Sequence, residues 1–333
     1  MNILSIFSGC GGLDYAAASI FPDAQIISIE RDKVYAATLK ENLVRHFPDV
    51  KHSMVQDDIV NVKKTDILSR NFQTVDLLIG GPPCEDFTTF GKTNGITGKT
   101  GFLIFEFLRM VREVNPSVFI FENVPNLTKV IGNQFEDFLS RFRNLGYTIN
   151  FDILCAGDFG AATTRKRLFI VGTKDSNHQY LFPAPTHKLD INDNNSAHPL
   201  MKTPTLISVI EDLVDKSEKD IANHQSANHR QETIKKYDDM TPGTNGGRSF
   251  VWRAKAELPC RSLIAGSDTN CKAYIHPLLP REMTVREYGR IQGFPDSWVF
   301  SGTRQKGLKQ VANSVPIPLG KAILSNTKNI LRN

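Results

Sequence analysis

The chain has 333 residues, 40% of them hydrophobic and 23% charged, with a formal net charge of +5. That length supports one substantial core plus a smaller lobe, and the composition is ordinary for a globular enzyme. With no basic-then-apolar leader and no uncharged apolar run of about 18 residues, the protein is expected to be intracellular and not to span a membrane.

The charge is unevenly spread. Residues 1–186 carry 19 basic and 20 acidic side chains, 187–300 carry 15 of each, and 301–333 carry six basic and none acidic. A solvated basic terminus accounts for the overall excess, so net charge alone argues little about nucleic acid. Eight basic against four acidic residues at 248–290 suggest a phosphate-facing surface. The cysteines (Cys10, Cys84, Cys155, Cys260, Cys271) form no CxxC pair, and the histidines are scattered. Neither a disulfide framework nor a metal site is expected.

A short apolar strand, 2–7, opens the chain and runs into Ser8-Gly9-Cys10-Gly11-Gly12, with a helix from Leu13. A strand at 25–29 ends at Glu30, and a helix over 33–47 leads to a strand near 51–56 that ends in Asp57-Asp58-Ile59. The strand 75–79 precedes Gly80-Gly81-Pro82-Pro83-Cys84, and a helix over 103–113 precedes the strand 118–121, which ends in Glu122-Asn123-Val124. A helix over 133–145 and strands at 148–154 and 167–172 follow. This alternation predicts a doubly wound α/β sheet, with polar residues at the strand ends where such sheets bind ligands. From 187 to 280 the chain is rich in Asn, Asp, Ser, Gly and Pro, which predicts a second, irregular lobe with a helix near 206–215. The Gly243–Gly247 cluster reads as a turn, because no strand-to-helix context surrounds it.

The strand-end residues suggest a chemistry. The Gly-rich loop from Phe7 to Gly12 lets backbone approach a bulky ligand, although it departs from GxGxxG and by itself equally fits a structural turn. Glu30 is placed to accept from ribose hydroxyls, and Asp58 from an adenine amino group. Cys84, on a constrained strand-end loop, could attack an electrophilic ring carbon as a thiolate. Alone, a cysteine after two prolines reads as structural. Glu122, at the end of a neighbouring strand, strengthens the case, since a carboxyl group there could bond the N3 and amino edge of cytosine. Arg165 and Arg167 alternate at a strand start and share a side if the strand begins there. Either could hold the carboxylate, a phosphate or a base carbonyl, or simply face solvent.

Taken in order, the motifs resemble those of the bacterial DNA (cytosine-5)-methyltransferases of restriction–modification type. They are Phe7–Gly12, Gly80–Cys84, Glu122–Val124, Arg165–Arg167, Arg281–Glu287, Gln292–Asp296 and Gln310–Pro316. The resemblance spans the chain apart from about 187–255. It implies a Rossmann-like catalytic and S-adenosylmethionine-binding domain over 1–186 and a smaller irregular target-recognition domain over 187–284. A hinge over 285–312 and a segment over 313–333 returning to the catalytic domain complete the arrangement. Cys84, Glu122 and Arg165 are the implied catalytic residues. Cys84 bonds transiently to C6 of a flipped cytosine, Glu122 engages N3, and Arg165 holds the carbonyl or the carboxylate. Water then takes the C5 proton. The implied cofactor contacts are Phe7, Gly9, Gly12, Leu13, Glu30, Asp58, Ile59, Pro82, Leu103, Asn313 and Ser314. DNA contacts are assigned to Thr88, Arg167, Arg248, Arg253 and Arg261. The implied partner is double-stranded DNA, with the protein expected to be a cytoplasmic, DNA-associated monomer in a bacterium. A functionally paired restriction endonuclease, without stable contact, is compatible with this reading.

Several residues depart from the family pattern. Glu85 and Thr163 stand where Gln is usual, Thr88 where Ser is usual, Ala312 where Gly is usual, and Ser262 where Thr is common. Glu85 bears most on activity, because a carboxylate beside the nucleophile could repel phosphate or raise the thiol pKa. Two alternatives share the scaffold: a transfer-RNA cytosine-5 methyltransferase and a catalytically weak DNA-binding homologue. The long variable lobe favours DNA, and intact Cys84, Glu122 and Arg165 favour catalysis. Transfer to an exocyclic amino group would not need the cysteine.

Overall fold

Runs of β-branched and aliphatic residues bounded by glycine, proline and acidic side chains form the strands of a seven-stranded sheet. The computed structural model describes residues 1–68, 72–83, 101–132, 134–174, 179–189, 200–246, 252–264 and 273–331. The chain divides into two compact units, Met1–Leu154 with Lys166–Ala184 and Gly320–Asn333, and Cys155–Arg165 with Pro185–Leu319.

In the first unit the strands are β1 (Asn2–Ile6), β2 (Gln25–Ile29), β3 (Lys51–Val55), β4 (Leu77–Gly80), β5 (Val118–Asn123), β6 (Thr148–Cys155) and β7 (Lys166–Thr173). Helices α1 (Gly12–Ile20), α2 (Lys33–His46), α3 (Lys64–Ile67), α4 (Leu103–Val114), α5 (Leu127–Val130) and α6 (Gln134–Arg143) connect them. The strand order is β3-β2-β1-β4-β5-β7-β6. Strands β3 to β5 pair in parallel and β7 runs antiparallel to β5. Parallel strands covered by helices read as continuous apolar runs, and β4 and β5 are buried throughout.

Local chemistry sets the element ends. Asp32 caps α2 by accepting from the backbone N–H groups of Val34 and Tyr35. Asn115, left-handed at φ 52°, ends α4 just before Pro116. The expected boundaries hold to within two residues for most of these elements. The core between the sheet, α4 and α6 is aromatic: Phe119 lies 4.6 Å from Phe142 and 5.1 Å from Tyr147, ring centre to ring centre. The chain re-enters this unit at Gly320, where the Tyr180 hydroxyl donates to the Ile323 carbonyl at 2.9 Å.

The second unit is irregular, as its composition predicts. Its elements are a parallel pair of two-residue strands, β8 (His187–Lys188) and β9 (Met201–Lys202), and helices α7 (Leu206–Ile210), α8 (Gln231–Asp238), α9 (Val285–Ile291) and α10 (Arg304–Asn313). Helix α11 (Ile317–Ser325) begins in this unit. Buried ionic and polar groups replace much of the missing ladder. Thr284 and Glu287 form a capping box at the start of α9, and Arg281 grips the same carboxylate through two bonds, 3.0 and 2.7 Å. Arg286 is fully buried and donates to the carbonyls of Ala222, Pro295 and Trp298. Gly243, at φ 88°, sits in a turn whose backbone N–H bonds the Arg253 carbonyl, in keeping with a turn rather than a phosphate cradle.

Gly172 stands opposite Phe119 across the β5–β7 pair, and a Cβ there would run into the Phe119 ring. Gly172→Ala should therefore destabilise the protein by about 1–3 kcal/mol through overpacking. The measurement is urea unfolding, with a lower midpoint expected at unchanged slope. An unchanged midpoint would mean the ring moves aside without cost.

Candidate active site

The ends of β1, β2 and β3 build one edge of the first unit. After β1 the backbone turns through left-handed conformations at Phe7 (φ 54°), Gly9 (φ 57°) and Gly11 (φ 94°), and α1 begins at Gly12. Glu30, just past β2, accepts from the N–H groups of Gly9 and Asp32, both at 2.8 Å. Burial raises its carboxyl above the ordinary value, and those two N–H groups pull partly the other way. Asp58, past β3, pairs with Arg31 at 3.1 Å on a solvated face. Ile59, Leu103 and the flank of Phe7 belong to the main hydrophobic cluster, and Leu13 is buried at the start of α1. The expected residues Phe7, Gly9, Gly12, Leu13, Glu30, Asp58, Ile59, Pro82 and Leu103 thus all belong to this unit. Asn313 and Ser314 fall in the second unit, where Asn313 is exposed at the end of α10 and Ser314 closes that helix.

Glu122, at the end of β5, is 7% exposed. The parallel register sets Gly80 beside Phe121, so Gly81 comes up against Glu122, and a Cβ on Gly81 would collide with Oε2. Oε1 pairs with Arg167 Nε at 2.8 Å, both side chains being nearly buried. The antiparallel register explains the partner. Phe169 faces Glu122 directly, and Arg167, two residues earlier, is the diagonal neighbour on the same face. The Asn123 amide reaches back to the Pro82 carbonyl at 3.2 Å and ties the two loops together.

Arg165 behaves differently from the expectation. It lies one residue before β7 begins and belongs to the second unit. It is 2% exposed, and its guanidinium donates to Ser262 Oγ (3.3 Å) and the Leu263 carbonyl (3.2 Å). Arg253 also departs from its expected contact with DNA. Buried at 7% exposure, it donates from Nη1 to the carbonyls of Tyr237, Asp238 and Met240 around the end of α8, work that turns it inward from phosphate. Arg261 is exposed and stacks over Trp252 at 4.7 Å. Cys84, Thr88 and Arg248 lie outside the described residues, as does Glu85; the described loop ends at Pro83.

Two residues that the sequence reading passed over support this edge. Arg109 of α4 donates to the Ile59 carbonyl at 2.7 Å while held by Glu106 and Glu113. Asp14 of α1 is completely buried and accepts from Ser5 Oγ (3.0 Å) and Ser28 Oγ (2.6 Å). Burial pushes its carboxyl up to about 6 in spite of those bonds. An acidic residue on the inward face of an otherwise apolar helix was the available signal for Asp14.

A parallel sheet joined by an antiparallel β7, with ligand-type residues at the strand ends, defines a Rossmann-like methyltransferase core with a smaller irregular lobe. The family model for C-5 cytosine-specific DNA methylases matches residues 1–329. The Type II methyltransferase M1.HphI of Haemophilus parahaemolyticus is 30% identical, over 97% of this chain and 85% of its own length. M.NgoPII of Neisseria gonorrhoeae is 29% identical over 99% of this chain and 96% of its own. Among solved structures, one described as a DNA modification methyltransferase encoded within an E. coli prophage shares the fold at a TM-score of 0.76 and 24% identity, with both chains fully covered. The chain belongs to the C-5 cytosine-specific DNA methylase family. It transfers a methyl group from S-adenosylmethionine to C5 of a cytosine turned out of DNA.

The residues present fit that cofactor. Nothing lies within 4 Å of where a Gly9 side chain would begin, so the left-handed loop is open to a bulky neighbour. The Glu30 carboxylate, held by two N–H groups, retains lone pairs suited to hydroxyl donors.

Asp14 yields a test of the buried charge. Between its ordinary value of 3.8 and about 6, the folded chain keeps a proton that the unfolded chain has released. The Asp14 contribution to stability is therefore fully present below the lower value and lost as pH rises through the higher one. That difference is about 3 kcal/mol. Asp14→Asn should flatten the fall in stability between pH 4 and 7, read by urea unfolding along a pH series. An identical pH slope in the variant would show that Asp14 titrates at its ordinary value.

Proposed function

We propose that the protein methylates cytosine in double-stranded DNA with Cys84 as nucleophile, Glu122 as the group that manages the N3 proton, and Arg167 as the side chain that orients Glu122. The observation that carries this reading is the setting of Glu122. It is nearly buried, has one oxygen on Arg167 Nε and the other over Gly81, and lies beside the loop that leads to Cys84. Arg165 is better suited to support the Ser262–Leu263 backbone than to act at the base.

The chemistry follows from these roles. The Cys84 thiolate forms a bond to C6 as Glu122 supports protonation at N3, and the ring's electron density moves to C5. Glu30, Asp58 and the Phe7–Gly12 loop would hold S-adenosylmethionine, whose sulfonium would give its methyl group to that carbon and leave as the neutral thioether S-adenosylhomocysteine. Water removes the C5 proton, and the electrons released expel Cys84 from C6. The second unit reads the target, with Arg261, exposed on the Trp252 ring, the favoured described phosphate contact and Thr88 and Arg248 retained from the sequence. A monomer and a functionally paired restriction endonuclease, without stable contact, complete the proposal.

A duplex carrying 5-fluorocytosine should trap a covalent complex after methyl transfer, because fluorine at C5 blocks the final proton loss. Mass spectrometry should place the adduct at Cys84, and folded Cys84→Ser should lose nearly all turnover. An adduct at Cys10 or Cys155 would overturn the assignment, and labelled methyl entering RNA but not duplex DNA would overturn the substrate. Arg167→Ala should lower kcat by about 100-fold by stranding a nearly buried carboxylate. Equal turnover by Arg167→Ala and the parent would return the orienting role to Arg165.

A further inference from the structure

A carboxylate at 0% exposure is expensive to desolvate, and Asp14 faces inward where an amphipathic helix ordinarily places an aliphatic residue. Its two oxygens collect two converging series of hydrogen bonds. Ser8 Oγ lies 2.9 Å from Ser5 Oγ, which in turn donates to Asp14 Oδ2 at 3.0 Å. Ser28 Oγ donates to Asp14 Oδ1 at 2.6 Å, with His52 Nε2 3.0 Å from the same hydroxyl. Both series originate next to the candidate cofactor edge. Ser8 lies inside the Gly-rich loop, and Ser28 lies two residues before Glu30.

The loop needs such an anchor. Phe7 holds a left-handed backbone that is rare for an aromatic residue, and Gly9 and Gly11 continue in the same region. Ser8, between them, is fixed from both ends of its residue. Its N–H donates to the Ile29 carbonyl at 3.1 Å, and its hydroxyl lies within bonding distance of Ser5 Oγ, Ser5 O and Ile29 O. The next N–H, from Gly9, meets Glu30. Asp14 terminates the series that sets this sequence of contacts.

We propose that Asp14 is a positioning residue for the cofactor, holding the Phe7–Gly11 loop and the end of β2 in register through Ser5, Ser8 and Ser28. This rests on the reading of that loop and Glu30 as the S-adenosylmethionine site. Only a carboxylate accepts from both serines at once. Asparagine offers one acceptor oxygen and an NH2 group, so one of the two serines would have to turn its hydroxyl from donating to accepting. A purely structural role would be met equally well by an uncharged residue, without the desolvation cost.

The test is to measure S-adenosylmethionine affinity, kcat, KM and urea midpoint at pH 8 for Asp14→Asn, Ser8→Ala and Glu30→Ala. Asp14→Asn should weaken cofactor binding about tenfold, the loss expected for one buried bond to a charged group. Its kcat at saturating cofactor should stay within about twofold, because the reacting groups are untouched. Its urea midpoint should not fall, and Ser8→Ala should weaken cofactor binding in the same direction. Weakened binding in Glu30→Ala with unchanged binding in Asp14→Asn would overturn the proposal and leave the cofactor site standing. Unchanged binding in both would overturn the site as well. A joint fall of midpoint, kcat and affinity in Asp14→Asn would show a structural role and also overturn the proposal.

Discussion

The parallel hydrogen-bond register across β2, β1, β4 and β5 is the constraint from which the rest of the first unit follows. Pairing Ile6 with both Ile29 and Gly80, and Gly80 with Phe121, ends three strands on one line, level with Phe121 of β5. The residues immediately beyond that line are Phe7, Glu30, Gly81 and Glu122. A shift of one residue in any pair would carry these groups to the opposite face, because side chains alternate along a strand. The glycines protect the line at close quarters. Gly80 backs onto the Ile6 carbonyl and Gly81 onto Glu122, so neither position has room for a side chain. Chemistry at this edge is thus specified by backbone pairing before any ligand arrives.

The second unit solves a different problem. Among its described residues the strands are two residues long and the helices short, so there is little ladder to organise it, and charged groups inside it take up that task. Arg286 gathers three carbonyls from two loops, while Glu287 serves both the α9 cap and Arg281. Such buried ionic groups are weak contributors to net stability, but each has few geometries in which it is fully bonded. They suit a region whose loops must hold one arrangement around an apolar core that includes Ile291, Phe294, Trp298 and Leu308.

Much of the first unit was legible from sequence because its strands are apolar runs ending in glycine or an acid, a pattern with few structural readings. Gln25–Ile29 and the start of α4 at Leu103 were located to the residue. Glu122 was legible for the same reason. Its arginine was not, because the choice between Arg165 and Arg167 depends on where β7 starts and on an antiparallel register that local sequence does not encode. Asp14 was visible only as an acid on an apolar helix face. Its partners were not, because two serines from β1 and β2 converge on it through the sheet rather than through local sequence. Arg253 illustrates a further limit, since composition counts charges without showing which of them the fold consumes.

That consumption changes how the unit's positive charge should be valued. Of the basic residues between 248 and 290, Arg253, Arg281, Arg286 and Arg290 are committed to internal carbonyls or carboxylates. A cation already paired inside the protein brings no fresh counterion release when a polyanion approaches. Among the described residues of that stretch, Arg261 and Lys255 are exposed. A tally of arginines there therefore overstates the salt sensitivity of any contact the stretch would make with a polyanion.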